Sequence, residues 1–82
     1  MTNYIKAEGF DFAIIGIDTN QERIIYSKQQ MIDTLVLGGL SIDESIEYLE
    51  HNTWNSQTGN NTPIYLHPIT NQELIELLQK PH

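Results

Sequence analysis

The side chains equipped for chemistry in this sequence are three histidines, four serines and eleven carboxylates, and there is no cysteine. Without thiols, disulfides and thiolate metal sites are excluded. Glu47 and His51 stand at i and i+4, a spacing that on a helix turns a carboxylate and an imidazole toward one point, with Glu50 beside them. A zinc ion takes three or four protein ligands, and no second histidine-rich segment supplies the remainder. His67 could join only if the strand carrying it passes beside the helix of Glu47. The competing description of His51, a solvated imidazole near a helix end, requires nothing further. No metal and no cofactor is assigned.

Nucleophilic chemistry fares no better, because a serine needs a base and an orienting group within reach. Ser27 and Ser41 occupy positions expected of helix caps, Ser45 is expected on the solvent side of a helix, and no Gly-x-Ser-x-Gly turn exists. The carboxylates recur at helical spacing, which describes a hydrated helix face better than an acid–base pair. So short a chain also leaves little volume for an enclosed pocket. No catalytic residue is assigned, and the expectation is a non-enzymatic protein.

What remains is a surface. Asp43, Glu44, Glu47 and Glu50 form an acidic stripe along one helix, able to meet a basic groove, although charge on the outer side of an amphipathic helix is also the norm. Tyr48 and Trp54 are the aromatic residues that could anchor a partner, although core cover is the favoured reading of Trp54. These six residues are the partner-binding candidates. The formal charge is −7 and the bases Lys6, Arg23, Lys28 and Lys80 are scattered. Nucleic-acid affinity grows from clustered Lys and Arg, so direct DNA or RNA binding is not expected. The negative field repels anionic membranes and favours a partner protein with a basic surface. No long apolar run follows Met1, which argues against a secretory signal or a spanning helix and favours the cytoplasm.

The elements that must carry these residues can be read from caps and periodicity. At 82 residues the chain is expected to be one domain over 1–82, with residues 1–9 a loose or edge-pairing lead-in. Residues 12–17 and 23–26 read as a β-hairpin, and Gly16 predicts a bulge or a close backbone approach. Ser27 and Gln30 form a capping signal, and Met31, Ile32, Leu35, Val36 and Leu37 make the following helix apolar over most of its circumference. That helix is expected to be the most buried element, ending at Gly38-Gly39. Ser41 and Glu44 cap a second helix running to about Asn52, with Ile42, Ile46 and Leu49 expected inside. Residues 52–62 read as a surface loop long enough to suspect of a role. Residues 63–67 read as a third strand, with Ile64 and Leu66 on one face and Tyr65 and His67 on the other, solvent-facing or at a dimer seam. Thr70 and Glu73 cap a C-terminal helix over 69–80, with Leu74, Ile75, Leu77 and Leu78 as its apolar face and Pro81 as its stop. The order β-β-α-α-β-α implies an α+β fold: a small antiparallel three-stranded sheet with helices packed on one face.

Several of these segments together carry a family resemblance. They are Glu8-Gly9-Phe10-Asp11, Ala13-Ile14-Ile15-Gly16-Ile17, Arg23-Ile24-Ile25-Tyr26, the run Gly39 to Glu50, and Gly59-Asn60-Asn61-Thr62-Pro63-Ile64-Tyr65. Over about residues 8–67 the chain resembles small uncharacterised bacteriophage and prophage proteins. No catalytic residues carry over from that family. The resemblance implies an accessory protein acting in the host cytoplasm that binds a host protein, such as a nucleic-acid-handling or defence component, in the manner of an anti-CRISPR inhibitor. The alternatives are a homo-oligomeric structural or assembly part of a virion, and a small metal binder or enzyme. The apolar face of the last helix fits packing on its own sheet or, slightly favoured for so small a chain, a homodimer contact.

Overall fold

The computed structural model describes residues 3–56 and 59–79. A 3-10 turn at Asp11–Ala13 leads into β1, Ile14–Asp18, which pairs antiparallel with β2, Arg23–Ser27. Helices α1, Lys28–Leu37, and α2, Ile42–Leu49, follow, then a π-helical turn at Glu50–Trp54. Strand β3, Ile64–Leu66, and helix α3, Asn71–Gln79, complete the α+β fold in the expected order. Among the described residues no helix is long and apolar enough to cross a membrane.

Local chemistry explains most boundaries. The Asp18 carboxylate accepts from the backbone N–H of Asn20 and Gln21, shaping the hairpin turn, while Glu22 closes it at φ 54°. The expected bulge lies in β1, where the register shifts between Ile14 and Gly16; the space where a side chain at Gly16 would stand is open. Ser27 Oγ accepts from the Gln30 N–H to start α1. The end of α1 is a Schellman motif: Leu40 N–H reaches the Leu35 carbonyl, Gly39 N–H reaches that of Val36, and Gly39 takes φ 113°. Ser41 and Glu44 form a complete capping box on α2, and Thr70 and Glu73 exchange the same pair of bonds at the start of α3. Lys80 and Pro81, expected to close that helix, lie outside the described residues.

The sheet is mixed rather than antiparallel. β2 is its central strand, and β3 runs parallel to it, with Ile25 opposite Ile64 and Tyr26 opposite Tyr65. The cause is the segment between the helices and β3. It carries the chain back to the hairpin-turn end of the sheet, where Asn61 Nδ2 donates to the carbonyls of Gln21 and Glu22. Strand β3 therefore starts beside the start of β2, as a crossover connection requires. The 52–62 segment, expected as a plain surface loop, contains this latch and the end of the π turn.

The core is thin. Phe10, Ala13, Ile24, Tyr26, Met31 and Leu49 are buried, with Tyr4, Ala7, Ile32, Leu35, Trp54 and Tyr65 packed around them. Tyr26 is central: its ring lies 5.6 Å from that of Tyr65 and its hydroxyl accepts the Ala7 N–H at 2.8 Å. That bond, with the Lys6–Asp11 ion pair, ties down the lead-in, whose described residues pair with no strand edge.

Three expectations of burial are corrected, and one of the two readings of α3 is removed. In α1 only Met31 is buried, and Leu37 is 90% exposed, because no described element covers the helix's far side. In α2, Ile42 is exposed and Ser45 is buried; the Ser45 hydroxyl donates to the Ser41 carbonyl at 2.7 Å, so a polar residue sits inside without an unpaired group. Tyr65, not Ile64, points to the core side, since parallel pairing sets it beside Tyr26. For α3, one of whose two readings is packing on its own sheet, no described element packs extensively on the helix, and its described residues are all exposed.

Candidate partner-binding surface

Capping by Ser41 sets the phase of α2, so that Ser45 and Leu49 face inward and the opposite side carries the acids. Asp43, Glu44, Glu47 and Glu50 are all exposed, Glu50 as the first residue of the π turn. They are not equivalent. The Glu44 carboxylate accepts the Ser41 N–H at 3.0 Å, and the Ser41 backbone and hydroxyl contacts hold its carboxyl below the ordinary glutamate range. Asp43, Glu47 and Glu50 form no ion pair among the described residues.

The distribution of bases makes that face more negative than the composition alone implies. Lys6 pairs with Asp11 at 3.0 Å, and that hydrogen bond raises the lysine's pKa. Arg23 pairs with Asp18 across the hairpin at 3.3 Å. Burial works against ionisation of Asp18, but the N–H groups of Gln21 and Asn20, with Arg23, outweigh it and hold the carboxyl low. Lys28 stands over the Trp54 ring, 4.7 Å from its centre. Every described base is thus engaged around the hairpin, the lead-in or Trp54, leaving the outer side of α2 without a counter-charge.

Tyr48 is the aromatic residue on this face, 47% exposed. It lines two clefts: one with Leu40, Glu44, Glu47 and His51, and a neighbouring one walled by Phe10, Pro63 and Tyr65. A half-exposed tyrosine between two hollows, ringed by carboxylates, has the form of an interface anchor. Its backbone carbonyl is held by Asn52 Nδ2 at 3.0 Å.

Trp54 takes the core-covering role. Its Nε1–H donates to the Met31 sulfur at 3.4 Å, and Lys28 occupies one face of its ring. The π turn is what brings it there. Trp54 stands five residues beyond Leu49, a step that α-helical winding sends around the helix and i→i+5 winding returns to the same side. Core cover, the favoured reading from a tryptophan directly after an amphipathic helix, is what the structure shows, while the π winding that achieves it is invisible to periodicity counted at 3.6 residues per turn.

The histidine pair considered for metal binding is divided. His51 lines the cleft beside Glu47, whereas His67 lines a separate groove with Ile69, Glu73, Glu76 and Leu77 of the C-terminal segment. Among the described residues no group of three or more potential ligands is placed to hold a metal ion. No protein-family model matches the chain, and no curated protein or solved structure matches it.

Proposed function

We propose that this chain is a non-enzymatic binding protein that engages a basic surface on another protein through the outer side of α2. Asp43, Glu47 and Glu50 steer the encounter, and Tyr48 supplies the anchor. The observation that carries this reading is the segregation of charge: the described bases are engaged elsewhere, while these acids are exposed and unpaired. Unpaired carboxylates on a capped helix raise association rates with a basic partner and discriminate against acidic ones. The resemblance to small phage proteins points to a host protein in the host cytoplasm, of the nucleic-acid-handling or defence kind, as the target of an inhibitory accessory protein.

The test is co-expression in a host cell, followed by affinity capture and identification of what is retained. Capture of a protein with a basic surface is expected, weakening as salt rises. The triple variant Asp43→Lys, Glu47→Lys, Glu50→Lys should lose it while keeping the native circular dichroism spectrum. Capture that is indifferent to both salt and charge reversal would refute the reading.

A further inference from the structure

Two apolar surfaces of this chain have no cover. The first is α3, where Leu74, Ile75, Leu77 and Leu78 occupy one continuous arc and Gln72, Glu73, Glu76 and Gln79 the other. Leu78 is 77% exposed, and no described element packs extensively on the helix. The second is the edge of the sheet: Phe12 is 96% exposed, and Ile14, Ile15 and Ile17 of the edge strand β1 are exposed behind it. No charge or proline interrupts residues 12–17; the bulge between Ile14 and Gly16 and the terminal Asp18 are what this edge carries against pairing, and neither covers its apolar side chains.

The dimensions of the whole molecule agree. The chain exposes 6224 Å², whereas a compact monomer of 9.4 kDa exposes about 5,000 Å². Its radius of gyration is 14.4 Å, against about 12 Å for a compact domain of this length. The surplus area, about 1,200 Å², exceeds the roughly 800 Å² that one partner contributes to a standard interface.

We infer that two copies of this chain form a two-fold dimer in which α3 of each lies over Phe12 and the β1 edge of the other. The occupant is a second copy because one chain carries both halves of the match: an amphipathic helix without a sheet and an apolar sheet edge without a helix. Two-fold exchange covers both surfaces on both copies, whereas α3 packed only on α3 would leave β1 bare. The −7 of each copy repels a second copy at long range, a cost that falls with salt, but the contact itself places no unpaired acid against another. Asp11 and Asp18, the acids flanking this surface, are each paired with a base of their own chain, and Glu73 and Glu76 lie on the polar arc of α3.

The absence of cysteine makes the test direct. Sedimentation of the full chain is expected to give twice 9.4 kDa. Two singly substituted chains, Phe12→Cys and Leu78→Cys, differently tagged and mixed under mild oxidation, should cross-link to each other in preference to themselves. The exposed-site variants Leu78→Glu and Ile17→Lys should each keep the native circular dichroism spectrum and weaken dimerisation at least tenfold. A monomer at millimolar concentration overturns the inference. So does a dimer whose disulfides form only between two Leu78→Cys chains, or one indifferent to both charged variants.

Discussion

At the scale of single residues, the Tyr26 hydroxyl has the widest reach, because it holds the lead-in against the sheet through the Ala7 N–H. Tyr26→Phe keeps the ring packing and removes the acceptor. It should cost about 1 kcal/mol in urea unfolding. Glu22 is the opposite case, a residue with a Cβ held at φ 54°. Glu22→Gly relieves that conformation and should raise stability by about 0.5–1 kcal/mol, the gain being reduced by the freer unfolded chain. Acid should find two further weak points. Asp18 and Glu44 have folded pKa values below their unfolded ones, so their contributions are complete above the unfolded carboxyl range. Stability should hold from neutral pH down to about pH 5 and then fall as these groups protonate through their lower folded values. Glu44→Gln, which removes the titrating group and keeps an acceptor for the Ser41 N–H, should flatten the part of that acid transition due to Glu44, measured as denaturation midpoint against pH.

At the scale of elements, caps were legible and partners were not. Ser27, Ser41 and Thr70 announce three helix starts because a side-chain oxygen satisfying free N–H groups is a local event, written within four residues. The direction of β3 is not local. It depends on how far residues 55–63 carry the chain, and the Asn61 contact with Gln21 and Glu22 that records this spans the hairpin turn. Asn61→Ala should therefore cost about 1 kcal/mol, although the position looks like loop. The exposure of most of α1 is not legible for a related reason, and the two readings of α3 stay open in the sequence for the same one: an apolar arc states that a helix seeks cover and does not state that this chain supplies it. The acidic face of α2 was readable from spacing, whereas the loss of Trp54 from it depended on π winding. In dilute solution Leu49→Ala should cost about 2–5 kcal/mol, and Leu78→Ala less than about 0.5 kcal/mol, in the same unfolding assay.

At the scale of the whole molecule, two surfaces of opposite chemistry should respond oppositely to salt. Raising ionic strength from about 0.1 M to about 1 M shortens the screening length from roughly 10 Å to roughly 3 Å. Binding of a basic partner to α2 should weaken across that range, while self-association through α3 and β1 should hold or tighten. Parallel titrations by sedimentation and by partner capture separate the two. The crossover that places β3 beside β2 has a kinetic corollary. Its three residues are joined to the sheet along one side only, by pairing between positions 25–27 and 64–66. Amide deuteration should thus reveal a hierarchy of opening, in which Tyr65 and Leu66 exchange early through a local detachment while Ile24 retains protection until global unfolding. During synthesis the same connectivity makes this strand the last of the sheet to dock, after the hairpin and both central helices have emerged.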